Sequence, residues 1–398
     1  TRCQLFPRYG YTFTMSRFIT VLGVTAIMTH APLYAATVIP APPVLENKAY
    51  ILMDYDSGKI LAESNSHAHL APASLTKMMT SFIVEQKLLK GSLKEQDPVL
   101  MSESAWCRGT NKESCMYVPL NSYAPALDML RGVIIQSGND ASKALAEHLA
   151  GSEPAFPEIM NGEAKRLGMK DTNFANATGL SDPNHYSSAA DLATLAHAII
   201  KDSSKYYPIY SEKEFTFNNI KQGNRNALLF TDPTVDGLKT GHTDDAGYCL
   251  TASSKRGAMR LISVVMGTNS MQSRADQTRA LFNWGFSNYE TALIRPKGQE
   301  LGKPVVWFGK DSHVSVGLAS DMSVTLPRGE KDQLQISLQL APSLDAPIKQ
   351  GQEVGKIIAS LNGKPIAEQA LIAQQAVEEA NFFVRMWHGV KRFFSNLF

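Results

Sequence analysis

Cysteine is scarce, at 4 in 398 residues. That excludes a disulfide-dense scaffold and leaves apolar burial to hold the fold. An excess of one charge is missing too: Lys and Arg number 39 against 37 Asp and Glu, a formal charge of +2. Without a strong positive field, bulk attraction to nucleic acid is excluded. There is no His-Glu-x-x-His and no second cysteine pair near Cys107 and Cys115, so no metal is implied. A Gly-rich nucleotide loop, an internal repeat and a low-complexity segment are also lacking, and no cofactor is implied. What is present is an ordinary apolar share, 44%, which excludes disorder as the dominant state. At roughly 150 residues per domain the length fits two or three domains.

The charge that exists is unevenly placed. Residues 1–36 hold Arg2, Arg8 and Arg17 and no acid. Residues 1–14 read as an upstream extension and are set aside, with Cys3. Met15-Ser-Arg17, the apolar run Phe18 to Met28 and the small residues of Ala31-Pro-Leu-Tyr-Ala-Ala36 form a secretory signal pattern over 15–36. The run is shorter than the roughly 20 residues of a membrane span. Export implies an oxidising compartment. Cys107 and Cys115 then become a candidate disulfide around residues 108–114, with two free thiols the equal alternative. Cys249 lies in an apolar run and reads as a buried small hydrophobe.

The other end is basic and apolar. Over 379–398 the large apolar residues fall at 382, 383, 386, 387, 390, 393, 394, 397 and 398. That spacing puts them on one helix face, opposite Arg385, Lys391, Arg392 and Asn396. Such a helix rests in a membrane interface, with Trp387 at the boundary, and its interleaved charges exclude spanning.

Between the ends, Tyr50–Tyr55 and Lys59–Ala62 flank Asp56-Ser-Gly58 as strand, turn and strand. Helical spacing dominates from about 72 to 202. Strands return at Tyr248–Ser253 and Leu261–Met266, and helical character at Arg274–Trp284. Strands at both ends of the segment 44–288, with helices between, predict an α/β (α+β) domain whose sheet is closed by distant parts of the chain. From 289 to 378 the texture alternates with period two, as in Leu334-Gln-Ile-Ser-Leu-Gln-Leu340, and Asn362-Gly363 signals a hairpin. This predicts a small antiparallel, sandwich-like β domain.

Three short motifs carry chemistry. Ser74-Leu-Thr-Lys77 opens a helical run, and residues three apart share a face, so the Lys77 amine can reach the Ser74 hydroxyl. Serine is a weak nucleophile until a neighbouring base takes its proton. Lysine serves as that base when burial or another cation depresses its pKa. The plain alternative for Ser74 is a helix N-cap. Ser137-Gly-Asn139 offers a hydroxyl for proton relay and an amide for a substrate carbonyl, with an ordinary turn as the alternative. Lys239-Thr-Gly241 on an edge strand could bind a carboxylate and allow close backbone approach.

In this order, on helix, loop and strand, the three motifs resemble the signature of penicillin-recognising acyl-transfer enzymes. Pro72-Ala-Ser-Leu-Thr-Lys-Met-Met-Thr80, Gln136-Ser-Gly-Asn-Asp140, Asn224-Arg-Asn226 and Val235-Asp-Gly-Leu-Lys-Thr-Gly-His-Thr243 are similar to the low-molecular-mass penicillin-binding proteins of DD-carboxypeptidase type. The resemblance runs from about residue 48 to the C-terminus. It implies a transpeptidase-like domain with an antiparallel sheet and a helical cluster, then a small all-β domain and an amphipathic helix. It implies Ser74 as the acylated nucleophile, Lys77 as its base, Ser137 in the proton path and Asn139 on the peptide backbone. Lys239 would support electrostatics and proton transfer, Thr240 would help hold the terminal carboxylate with Gly241 beside it on the strand, and Arg274 would assist carboxylate binding. The N–H groups of Ser74 and His242 would form an oxyanion hole.

The expected partners are peptidoglycan stem peptides ending in D-Ala-D-Ala and β-lactams. The expected place is the periplasmic face of a bacterial inner membrane. The Cys107–Cys115 pair departs from the family pattern. Three competitors remain at this stage: a DD-endopeptidase; a class A-like β-lactamase, for which Glu158 and Asn161 are the candidate deacylation pair; and a non-catalytic wall-binding or β-lactam-sensing protein. The sequence does not give the oligomeric state.

Overall fold

The computed structural model describes residues 38–109 and 113–395. The extension at 1–14 and the signal segment at 15–36 lie outside the described residues, as do 396–398.

Strands β1 (Ala49–Asp54) and β2 (Ile60–Ser64) pair antiparallel across a turn held by Asp54, whose Oδ1 accepts from the Ser57 N–H at 2.8 Å. Three later strands complete the sheet: β3 (Val235–Thr243), β4 (Gly247–Arg256) and β5 (Met259–Thr268). The order is β2-β1-β5-β4-β3. β1 pairs with β5, Ile51 opposite Val264, so the sheet closes between distant parts of the chain. This leaves β3 at the edge, with backbone groups free for a ligand.

Successive strand residues face opposite sides. Ile51, Ile262 and Val264 join the larger core, which holds most of the helices. Leu52, Leu261 and Val265 join the smaller core with Phe282 and Phe286 of α5 (Met271–Asn288). Each such side chain contributes about 1.5–3 kcal/mol when fully buried. In the larger core α1 (Lys77–Leu89) buries residues on every side, among them Met78, Phe82, Val84, Lys77 and Glu85. A helix buried all round is a central element. It is flanked by α2 (Asn139–Ala150), α3 (Phe156–Leu167) and α4 (Ala189–Asp202).

From residue 289 the chain is β, apart from one 3-10 turn at Lys331–Gln333, until its last helix. β6 (Tyr289–Arg295) pairs with β7 (Met322–Pro327). β8 (Leu334–Leu340), β9 (Glu353–Leu361) and β10 (Lys364–Ala373) form most of a second sheet. Asn362 and Gly363 both take positive φ in the β9–β10 turn, as a two-residue hairpin requires. Short strands at Pro98–Leu100, Tyr123–Pro125 and Val305–Trp307 escape sequence reading, because three residues are too few to display a period.

Helix α6 (Phe382–Ser395) leaves Phe382, Phe383, Met386 and Trp387 exposed. Its bases are more engaged than the pattern predicts. Arg392 bonds Asp345 at 2.8 Å and Arg385 bonds Glu379 at 2.7 Å, while His388 Nδ1 accepts from the Phe308 N–H. Among the described residues no helix is long and apolar enough to cross a membrane.

Candidate active site

Ser74 lies in a 3-10 turn, Ala73–Thr76, that runs into α1. In a 3-10 turn residues i and i+3 eclipse, which sets Lys77 Nζ 3.0 Å from Ser74 Oγ. Ser74 caps no helix: the cap positions are Pro72 and Thr76, neither with a side-chain cap bond. Lys77 is fully buried, and its amine also donates to the Thr178 carbonyl at 2.7 Å. Burial, then the Arg225 guanidinium, pushes Lys77 down to about 7. The amine is therefore half deprotonated near neutrality, and in that form it can accept the Ser74 proton.

The Thr178 carbonyl is held in place from two sides. Asn176 Oδ1 accepts from the Gly179 N–H at 2.7 Å. Gly179 has φ +86°, and a Cβ there would lie 1.8 Å from the Ala73 carbonyl oxygen, so only glycine fits. His185 braces the same turn. Its Nδ1 accepts from the Ala175 N–H, so its Nε2 carries the proton and donates to Thr76 Oγ1 at 2.7 Å. Burial pushes His185 down to about 4 and keeps it neutral.

Ser137 sits in the left-handed region at φ +63°, 3% exposed. Among the described residues its Oγ has no hydrogen-bond partner. Strained backbone and an unsatisfied buried hydroxyl both concentrate at functional sites. Asp140 fixes the loop. Its carboxylate accepts from the N–H groups of Met116, Tyr117 and Ala141 at 2.7, 2.9 and 2.9 Å. Asn139 opens α2 and donates Nδ2–H to Glu113 Oε2 at 2.9 Å. Glu113 belongs to the loop whose ends, Cys107 and Cys115, are bonded to each other. Among the described residues the only cluster of metal-type ligands is Cys107, Glu113 and Cys115, and its sulfurs are occupied by the disulfide.

The edge strand β3 closes the site. A Cβ on Gly241 would come within 3.0 Å of the Ser74 N–H nitrogen and 3.1 Å of the Pro72 carbonyl oxygen, so the strand abuts the nucleophile turn. Thr240 is buried, while His242 is exposed and stacks on Tyr248 at 4.0 Å. Arg274 of α5 is buried, donates to the Gly241 carbonyl at 3.2 Å and is pushed down to about 10 by burial. Lys239 is buried behind the strand. Burial and the neighbouring cations Lys77, Arg225 and Arg274 drive it well below the ordinary lysine range. Arg225 and Arg274 line the cleft as cations beside it.

These walls enclose a cleft of about 690 Å³ lined by Ser74, Ser137, Asn139, Thr240, Gly241, His242 and Arg274. Lys77 and Lys239 lie beneath its surface. Glu158 and Asn161 do not line it; both are on α3, and Asn161 Nδ2 is spent on the Phe174 carbonyl.

Residues 36–270 match a family described as D-alanyl-D-alanine carboxypeptidase. The chain belongs to that family. Residues 289–379 match a second family, described as penicillin-binding protein 5, C-terminal domain. The D-alanyl-D-alanine carboxypeptidase DacA of Haemophilus influenzae is 45% identical over 350 residues, covering 87% of this chain and 89% of that protein. DacC of Escherichia coli is 44% identical over 371 residues, covering 92% of each. The crystal structure of penicillin binding protein 5 from Haemophilus influenzae superposes with a TM-score of 0.81 at 44% identity, over 85% of this chain and all of that one.

In this D-alanyl-D-alanine carboxypeptidase family chain the cleft also contains residues that motif reading missed. Arg225 lies inside a triplet that sequence reading quotes without giving it a task. Asn226 Nδ2 bonds the Gly237 carbonyl at 3.0 Å, which ties that triplet to β3. His185 carried no signal, because Thr76 and His185 are 109 positions apart; Glu113 lay in the marked loop 108–114 without a task of its own.

Proposed function

We propose that the chain is a serine-type D-Ala-D-Ala carboxypeptidase that trims the terminal D-Ala from peptidoglycan stem peptides. The observation that carries this reading is the Lys77 amine, buried, pushed to about 7 and 3.0 Å from Ser74 Oγ. Neutral Lys77 takes the Ser74 proton as Oγ attacks the penultimate D-Ala carbonyl. The N–H groups of Ser74 and His242 receive the oxyanion, for which the closeness of Gly241 to the Ser74 nitrogen is support. The proton passes to the leaving amine, with the unpartnered Ser137 hydroxyl as relay. The C–N bond breaks, D-Ala departs, and water then cleaves the ester. Arg274, Thr240 and Lys239 receive the terminal carboxylate, and its arrival raises the proton affinity of Lys239. β-Lactams present an amide and a carboxylate at a similar spacing and acylate the same oxygen.

The signal pattern and the exposed apolar face of α6 support an exported protein resting peripherally on the periplasmic face of the inner membrane. The test of the chemistry is D-Ala release from a D-Ala-D-Ala peptide, with the intact mass followed after penicillin treatment. Wild type should release D-Ala and gain one adduct on the peptide holding Ser74; Ser74→Ala should do neither. Equal release by both proteins rejects the assignment.

A further inference from the structure

Glu113 is unexplained by the chemistry so far. It lines the cleft, and its side chain is 22% exposed. Among the described residues its one ion pair is to Lys143 Nζ, at 3.9 Å. The carboxylate is partly open to the cleft, and Lys143 stands at the outer limit of an ion pair with it. Its position is nonetheless firmly set. Its oxygen takes the Asn139 Nδ2–H at 2.9 Å, the next residue's carbonyl takes the Asn139 backbone N–H at 2.7 Å, and Cys115, two residues on, is bonded to Cys107.

The cleft's charges fall into two groups. Arg225 and Arg274 belong to the segments at the β3 side, with Asp244 and Asp245 just beyond that strand, and Glu113, with Lys143 beside it, belongs to the Asn139 side. A peptide with its terminal carboxylate on the β3 side and its scissile carbonyl on Ser74 leaves the cleft past Asn139. One residue advances the chain by about 3.3–3.6 Å. The residue preceding D-Ala-D-Ala therefore comes alongside Asn139, and its side chain meets Glu113.

From this placement we propose that Glu113 is a specificity-determining residue, selecting stem peptides in which the residue preceding D-Ala-D-Ala carries a free ammonium group. This rests on the acyl-transfer reading above. A peptide whose side-chain amine has been converted to an amide, as in a cross-link, would lose the attraction and be trimmed more slowly.

The test compares kcat/KM for D-Ala release from two peptides, Nα-acetyl-L-Lys-D-Ala-D-Ala with its ε-amine free and the same peptide Nε-acetylated. Wild type should prefer the free amine by about 5- to 20-fold at low salt, with the ratio shrinking severalfold in 0.5 M NaCl as the charge is screened. Glu113→Gln should bring the ratio close to 1, and Glu113→Lys should invert it. Asp244→Asn, which removes a carboxylate after β3, should keep it. A wild-type ratio near 1 overturns the proposal. So does a Glu113→Gln variant that slows both peptides equally, which is what a residue merely positioning Asn139 would do. Wild type that releases no D-Ala from either peptide overturns the acyl-transfer reading itself, and the selection with it.

Discussion

The two domains bury different things. The segment up to residue 288 places Lys77, Glu85, Asp140, Lys239 and Arg274 in its interior beside ordinary apolar side chains. From residue 289 on, the buried polar groups among the described residues are Thr325 and Glu330, around a core of Val324, Leu326, Ile357 and Leu371. Burying a charge costs several kcal/mol unless it is paired, and the cations near the cleft mostly face one another. Burial pushes Glu85 up to about 8 at the other end of the same helix, so α1 carries ionisable groups at both ends of its buried length. Stability is forgone in one domain, where the proton chemistry is, and retained in the other.

The sharpest way to break this comparison is Lys77→Met. Penicillin acylation should fall about 10²- to 10⁴-fold, while the melting temperature holds or rises, because a buried amine gives way to a methionine of similar length. A large fall in melting temperature would show that the amine stabilises the domain. Next is Gly179→Ala. The added methyl meets the Ala73 carbonyl at a φ that alanine resists, so unfolding free energy should drop by about 2–4 kcal/mol in denaturant titration, with acylation slowed as well. Leu371→Ala should cost a similar 2–5 kcal/mol in the β domain, but leave the acylation rate within about twofold; a larger loss would mean that the two domains are coupled through the Ser57–Thr325 contact.

Gentler still is the pH profile. Protonated Lys77 is inactive, so the acylation rate should climb with pH through about 7. Arg225→Ala removes a cation that holds Lys77 down, so the limb should move to higher pH and the rate at pH 6.5 should fall about two- to fivefold. A limb that moves the other way would mean that burial of Lys77, not Arg225, changes in the variant.

The same contrast explains what could be read from the chain. The β domain shows itself through alternation, and the Asn362-Gly363 turn is where the pattern predicts it. The family assignment was legible because Ser74, Lys77, Ser137, Asn139 and Lys239 sit in compact motifs whose internal spacing survives folding. The electrostatics were not legible. The depression of Lys239 depends on how deeply β3 is covered and on Arg274 from a later helix. The place of Glu113 depends on a disulfide and on Asn139. The three-residue strands are fixed by neighbours rather than by their own sequence. Local pattern therefore finds the reacting atoms, and tertiary burial decides their charge.

The stretch from Thr178 to Ser181 lines the cleft beside Ser74, and its side chains include no acid. A water arriving to free the nucleophile meets hydroxyls and backbone on that wall. The base closest to the Ser74 oxygen is the amine that launched the first half of the cycle, 3.0 Å away.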